Sequence, residues 1–386
     1  MKKLSAFAAA ALVLAAACGD VTAPGGASHC SRDNIATGRN QAECSYIVSV
    51  HDGISPEAVA RDHGVMPHFV YHDVLHGFAG WLADSTRDAL LADPRVEMIE
   101  ADAMEFEQTI QSGATWGIDR VDQRALPLNG SYSYASTGAG VTAYIIDTGI
   151  LLSHNEFGGR AVKGFDAVTP GGNAQDCNGH GTHVAGTVGG ATYGIAKAVK
   201  LVAVRVLNCA GSSTTSTVIA GVDWVTHNHA PNAVANMSLG GGASAMLDNA
   251  VAASIASGVT YVLAAGNSRV DACGFSPARL PAAITVGATD ATDTRASFSN
   301  FGTCLDIFAP GVNINAAWHT GTTTTHTISG TSMAAPHVAG VAALYVASHP
   351  GATPQQVRDA LVANATTGAV KNGGTGSPNT LLFSNY

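Results

Sequence analysis

Apolar and polar positions alternate in two distinct textures along this chain, and the change falls near residue 110. In the first texture, Tyr46–Val50, Val65–Leu75, Gly77–Leu82 and Val96–Ile99 read as strands rich in β-branched and aromatic residues. Two helices separate them. Ser55 to His63 has Ser55 as N-cap and Pro56 at its first position, and Asp84 to Ala92 stops before Pro94. This order predicts a small open-faced α+β sandwich over residues 46–108. A loose polar joint, Gln108 to Thr115, follows it.

Beyond the joint the apolar runs become short and nearly continuous: Val141–Asp147, Leu201–Leu207, Ala233–Leu239, Val259–Ala265 and Ala283–Val286. Such runs suit parallel strands buried on both faces. Segments of helical length, Gly181–Gly190, Ser216–Asn228 and Ala245–Ser257, lie between them, and Val338–Ala347 reads as a buried helix. The prediction is an α/β fold with a doubly wound parallel sheet, whose ligands meet the carboxyl ends of the strands.

Charge and cysteine content refine this picture. Charged residues make up 12% of the chain and the net charge is −9, but up to Ile110 seven Lys and Arg face fifteen Asp and Glu. The acidity therefore belongs to the N-terminal part. No basic patch asks for a phosphate backbone, so nucleic acid is not an expected partner. Met1-Lys2-Lys3 and the apolar run to Ala17 read as a secretory signal over residues 1–18, too short to span a bilayer. The ending Ala15-Ala16-Ala17-Cys18 fits ordinary cleavage. It also fits a lipid-modified Cys18, the one route to membrane attachment, although Leu is missing three residues before that cysteine. Residues 19–45 read as a linker. Apart from Cys18, the six cysteines are Cys30, Cys44, Cys177, Cys209, Cys273 and Cys304. In a secreted chain they imply disulfides, with nearest-neighbour pairing the simplest of fifteen connectivities. His63, His68, His72 and His76 admit a metal site, a pH-sensitive cluster or separate solvated side chains.

The candidate chemistry sits at element ends. Asp147 closes the first apolar run, His180 opens the glycine-rich helix, Asn267 follows the run from Val259, and Ser332 precedes the helix at Val338. Each has a plain structural reading: a turn cap for Asp147, a turn residue for Asn267, an N-cap for Ser332, and His183 in place of His180. Together they supply a carboxylate, an imidazole, an amide donor and a hydroxyl nucleophile in the order Asp, His, Asn, Ser.

Four blocks carry a resemblance to the subtilisin-like serine proteases, and within them to the proteinase K branch and its aqualysin-type secreted members. They are Tyr144-Ile145-Ile146-Asp147-Thr148-Gly149, Asn178 to Thr187 (Asn-Gly-His-Gly-Thr-His-Val-Ala-Gly-Thr), Asn236-Met237-Ser238-Leu239-Gly240-Gly241-Gly242, and Gly330 to Gly340. The resemblance spans Trp116 to Asn385, and residues 46–107 resemble the inhibitor-type propeptide of such proteases. It implies a subtilisin-like catalytic domain over 112–386 and a self-processing zymogen cut near Gln108–Ser112. The propeptide would serve as folding aid and intramolecular inhibitor of a monomer, and no further domain is expected after Phe383. It further implies Ser332 as nucleophile, His180 as base and then acid, Asp147 as orienting carboxylate, and Asn267 with the Ser332 N–H as oxyanion hole. Gly211, Ser238, Leu239, Gly240, Ala264, Ala265 and Gly266 would bind protein or peptide substrates, with apolar or aromatic side chains preferred before the scissile bond. Calcium is the implied structural ion, at Asp290 with the carbonyls of Pro281 and Ala283, or at Asp119, Asp122, Gln123 and Asn129. The implied disulfides are Cys177–Cys209 and Cys273–Cys304, with Cys30–Cys44 as a further pair. Val184 stands where proteinase K has a cysteine, so thiol sensitivity is not expected there. A peptide-binding relative without activity would show a substituted residue among these four, and none is substituted. A secreted esterase would need the order Ser, Asp, His and a second glycine after Ser332.

Overall fold

The computed structural model describes residues 43–73, 75–102 and 109–386. The signal, most of the linker, Cys18, Cys30 and hence the Cys30–Cys44 pairing lie outside the described residues. The chain divides into two compact units, Met1–Phe106 and Glu107–Tyr386.

The N-terminal unit runs β1 (Glu43–Val50), α1 (Pro56–Asp62), β2 (Pro67–Tyr71), β3 (Gly77–Ala83), α2 (Asp84–Leu91) and β4 (Val96–Ala101). The strands form an antiparallel sheet in the order β2-β3-β1-β4. Ser55 caps α1, its hydroxyl accepting from Ala58 N at 3.2 Å. Val48, Phe78 and Leu82 point to one face and bury Val59 of α1 and Leu90 of α2. Register puts Phe69, Ala79, Ile47 and Glu100 in one row across the other face. The strand expected over Val65–Leu75 is shorter because the chain bends at His72 and Asp73. His63 pairs with Asp93 at 2.8 Å and His72 with Glu57 at 3.1 Å, while His68 lies beside Ser45. These three histidines thus have separate partners.

The C-terminal unit opens with β5 (Thr109–Ser112), α3 (Trp116–Val121) and β6 (Ser131–Tyr134), the two strands pairing with each other. It continues β7 (Thr142–Asp147), β8 (Ala161–Asp166), α4 (His180–Gly189), β9 (Lys200–Arg205), α5 (Thr215–Asn228), β10 (Ala233–Met237), β11 (Gly241–Gly242), α6 (Ala245–Ala256), β12 (Thr260–Ala264) and β13 (Phe275–Ser276). It ends β14 (Ile284–Thr289), β15 (Ile307–Pro310), β16 (Ile314–Ala317), β17 (Thr325–Ile328), α7 (Thr331–Ser348), α8 (Pro354–Asn364), β18 (Thr366–Thr367) and β19 (Thr380–Leu381).

Nine strands form one sheet in the order β18-β19-β15-β14-β12-β10-β7-β9-β8, parallel except at the β18 edge. Strand alternation explains why the runs are apolar throughout. Ala143 and Ile145 of β7 pack in the cluster that holds Val184 of α4 and Val338 of α7, whereas Tyr144 and Ile146 pack with Val222 of α5 and Val251 of α6. From β7 the chain builds β8 and β9 to one side, then crosses to build β10 and everything after it on the other. The strand order therefore reverses between β7 and β10, and a crevice opens at such a switch point at the carboxyl edge. Asp147 ends β7 there and Ser238 follows β10.

Candidate active site

Strand β7 delivers Asp147 fully buried, and helix α4 delivers His180 as its first residue. The entry to α4 turns on Gly179, whose φ of 112° suits glycine, and a side chain there would run into the Trp318 ring. His180 Nδ1 meets Asp147 Oδ1 at 2.8 Å, and Thr148 N donates to the same oxygen at 2.7 Å. Asp147 Oδ2 is buried without a hydrogen-bond partner among the described residues. Burial opposes a charge on the imidazole, but the Asp147 carboxylate outweighs it by charge and hydrogen bond, so His180 sits above its ordinary pKa of 6.5. His183, one turn on, is spent elsewhere: its Nε2 lies 3.0 Å from the Ile314 carbonyl. Burial pushes its pKa down to about 4. His183 Nε2 is thus committed to backbone carbonyls, whereas no hydrogen bond to His180 Nε2 is formed among the described residues.

Helix α7 places Ser332 in its first turn, where backbone N–H groups lack intrahelical acceptors. The helix contains Pro336, which has no N–H to give the carbonyl of Ser332 four residues earlier. That carbonyl instead accepts from Ser238 Oγ at 2.8 Å, and Ser332 Oγ donates back to the Ser238 carbonyl at 3.2 Å. Asn236 Nδ2 donates to Ser238 Oγ at 2.8 Å. A proline that would weaken an ordinary helix thus ties the serine to the end of β10. Asn267 is oriented by Thr331, whose N and Oγ1 donate to Asn267 Oδ1 at 2.8 and 3.0 Å. This turns the amide nitrogen outward: a methyl group on Gly330 would lie 3.6 Å from Asn267 Nδ2 and 3.5 Å from Ser332 N. The Asn267 amide nitrogen and the Ser332 backbone nitrogen thus lie near one another, as a pair of donors to an oxyanion must. Thr331 and Asn236 were not among the sequence candidates, although Thr331 lies inside the Gly330–Gly340 block and Asn236 opens the Asn236–Gly242 block.

A cavity of about 570 Å³ is lined by His180, Gly211, Ser238, Leu239 and Gly240. A second, of about 250 Å³, adjoins it across Leu239–Gly242 and is lined by Ala264, Ala265, Gly266, Asn267 and Ser332. All seven predicted substrate residues line one or other cavity. No hydrogen bond joins His180 to Ser332 among the described residues, and in ligand-free sites such contacts are commonly long.

The Subtilase family model matches residues 138–381. The chain belongs to the subtilase family. It is 62% identical over 317 residues to an extracellular serine proteinase of Thermus sp. (strain Rt41A), covering 82% of this chain and 77% of that protein. It is 53% identical to alkaline serine exoprotease A of Vibrio alginolyticus, covering 82% of this chain and 60% of that one. The crystal structure of a cold adapted subtilisin-like serine proteinase superposes with a TM-score of 0.70 at 56% identity, covering 71% of this chain and all of that one. This subtilase is therefore a serine proteinase, a hydrolase of peptide bonds with the subtilisin-like fold.

In this subtilase Cys177–Cys209 and Cys273–Cys304 are bonded as expected. One calcium expectation is corrected. Pro281 and Ala283 precede β14 and Asp290 follows it, so the six-residue strand Ile284–Thr289 stands between them. At about 3.3 Å per residue they lie some 20 Å apart and cannot share an ion. Asp290 instead caps its own turn, accepting from Thr292 N at 2.9 Å and Thr294 N at 3.1 Å. The carboxylate near Ala283 is Asp306, which accepts from Thr285 N and Arg358 Nε. The other set does converge. Gln123 Nε2 donates to Asp119 Oδ1 and to Asn129 Oδ1, and Gly130 N donates to Asp119 Oδ2. Asp122 Oδ1 is buried without a partner among the described residues. Burial raises the pKa of Asp119 and of Asp122, the latter also through the neighbouring Asp119.

Proposed function

We propose that this subtilase is a secreted endopeptidase, made as a self-processing zymogen, that works through Asp147, His180, Ser332 and Asn267. The observation that carries this is the Asp147–His180 hydrogen bond at 2.8 Å at the carboxyl end of β7, with His180 lining a cavity that adjoins the one lined by Ser332 and Asn267. Ser332 Oγ attacks the scissile carbonyl while His180 Nε2 takes its proton, and Asp147 holds the ring by Nδ1 and stabilises the imidazolium. The new oxyanion is held by Ser332 N–H and Asn267 Nδ2. His180 then returns the proton to the leaving amine, and water activated by the same ring frees the acyl group.

Substrate would lie extended along Gly211 and Ser238–Gly240, where backbone hydrogen bonding favours broad specificity. The 250 Å³ cavity has Leu239, Ala264, Ala265, Phe275 and Ala278 in its wall and no charged residue among those that line it. Apolar or aromatic side chains therefore suit it. A cleavage profile dominated by Arg or Lys before the scissile bond would overturn this specificity.

The N-terminal unit serves as the propeptide in this reading, supported by its element order and by Phe69 and Met98 exposed on its open sheet face. Processing falls at the start of β5. Gln108 lies outside the described residues, while Thr109–Ser112 is already paired with β6. Asp119, Asp122 and Asn129 carry oxygen ligands suited to calcium, the unpartnered Asp122 oxygen fits a cation, and Gln123 would have to turn its amide to offer oxygen in place of Nε2. Bound there, calcium would brace the loop after α3, and chelator would lower the melting temperature.

The decisive test is Ser332→Ala in the full chain. Processing near 108–112 and casein hydrolysis should both cease; persistence of both would refute the mechanism.

A further inference from the structure

One buried carboxylate beside this machinery has no part in the mechanism above. Asp176, 4% exposed, lies four residues before His180 and accepts five hydrogen bonds. Its Oδ1 takes Thr148 Oγ1, Asn178 N and Gly179 N, each at 2.9 Å. Its Oδ2 takes Thr182 N at 2.9 Å and Thr182 Oγ1 at 2.6 Å. Every partner is a donor, the set that a carboxylate can satisfy and an amide cannot. Among the described residues no Lys or Arg forms an ion pair with it; Arg205 at the end of β9 pairs with Asp166 and contacts Cys177 Sγ at 3.2 Å.

The two hydroxyls that bind Asp176 also bind back across the site. Thr148 Oγ1 accepts from Gly181 N and Thr182 Oγ1 accepts from Leu151 N, both at 2.9 Å. The residues after Asp147 are thereby fastened to the first turn of the His180 helix from both directions, with Asp176 at the centre. We propose that Asp176 is a positioning residue for proton transfer, fixing the Asp147–His180 geometry and adding a second negative charge to the surroundings of the imidazolium. This rests on the assignment of Asp147, His180 and Ser332 made above.

The charge has a direction. His180 is faced by Asp147 from β7, by Asp176 from the loop before α4 and by His183 from its own helix, while His319 lies against Gly179, the residue before it. Asp176 adds to Asp147 in favouring the protonated ring. Removing that charge therefore moves the ring's protonation to lower pH.

The test compares full-chain Asp176→Asn, Thr148→Val and Ser332→Ala by active-site titration and by the pH profile of kcat/KM on a peptide substrate. Asp176→Asn should lose about 10- to 100-fold in kcat per titrated site at nearly constant KM, the size expected when reacting groups are misplaced slightly. Its acid limb should shift to lower pH. Thr148→Val, which breaks the tie but keeps the charge, should lose kcat while its acid limb stays at the wild-type position. Wild-type kcat per site in Asp176→Asn, or a loss of kcat with an unmoved acid limb, would overturn the proposal. Should Asp176→Asn yield no titratable sites, Thr148→Val decides, and wild-type kcat there overturns it. Activity in Ser332→Ala would instead sink the underlying assignment, so the two failures are distinguishable.

Discussion

In the N-terminal unit a four-stranded sheet buries one face under two short helices, and Phe69 and Met98 on the other face stay 62% and 57% exposed. In the C-terminal unit a nine-stranded sheet is covered on both faces, and α7 is buried along nearly its whole length. The charge is distributed as unevenly as the burial, with a net −8 before Gln111 and −1 after it. A sheet covered on one face hides little apolar surface and leaves a small unit only marginally stable. A sheet covered twice over-determines its loops, which is what a site needs if two N–H donors are to await a charge that does not yet exist. The chemistry lies in the unit whose backbone is most fully held.

Matched cavity mutations would break this comparison most visibly. Phe78→Ala and Phe308→Ala each remove a fully buried ring, at about 3–5 kcal/mol. In the N-terminal unit that approaches the whole stability of a small domain, so Phe78→Ala should abolish its cooperative unfolding. In the C-terminal unit Phe308→Ala should lower Tm and leave the protein folded. Circular dichroism melts of the full chain would show both; equal tolerance in the two units would contradict the contrast.

Next in size is Asn267→Ala. It should cost about 3–4 kcal/mol of barrier, the size found for the oxyanion amide of subtilisin, seen in kcat with KM nearly unchanged, and a smaller loss of stability as Thr331 loses its acceptor. A matching fall in Tm would mean that the amide holds structure rather than charge.

Acid sharpens the contrast further, because His183 and His337 in the C-terminal unit have pKa values pushed down to about 4 by burial. Unfolded, each takes a proton near pH 6.5. Between pH 6.5 and 4 the unfolded state therefore binds more protons, and stability falls as pH falls, by up to about 3 kcal/mol per histidine. Urea midpoints at pH 7 and 4.5 should show this for the C-terminal unit, and His337→Gln should reduce the difference.

The smallest effect belongs to the open sheet face. Phe69→Ser should change the stability of the N-terminal unit by less than about 0.5 kcal/mol while weakening inhibition of the processed protease when that unit is added back. A large loss of stability with unchanged inhibition would contradict both expectations.

Much of this was legible in the sequence because the relevant residues impose their own geometry. The short apolar runs suited doubly covered strands, and Asp147, His180 and Ser332 stand at element ends. Helix α8 was not among the expected helices, although Thr353-Pro354-Gln355-Gln356 carries a capping-box signature that the structure forms. Asp176 was hidden because its partners are backbone N–H groups and two threonines, which no side-chain pattern announces; its place before Asn178-Gly179-His180 was the available clue. The role of Ser238 depends on Pro336 nearly a hundred residues away, a relation visible only once β10 and α7 are adjacent. Asp290 is separated from Ala283 by the whole of β14, a distance that local resemblance does not reveal.

The central claim is that Ser332 is the nucleophile activated by His180. The most direct measurement is to react the processed protein with a fluorophosphonate and locate the adduct by peptide mass mapping. The account predicts one adduct, on the peptide containing Ser332, absent in His180→Ala and Ser332→Ala. An adduct on another serine, or undiminished labelling in His180→Ala, would contradict it.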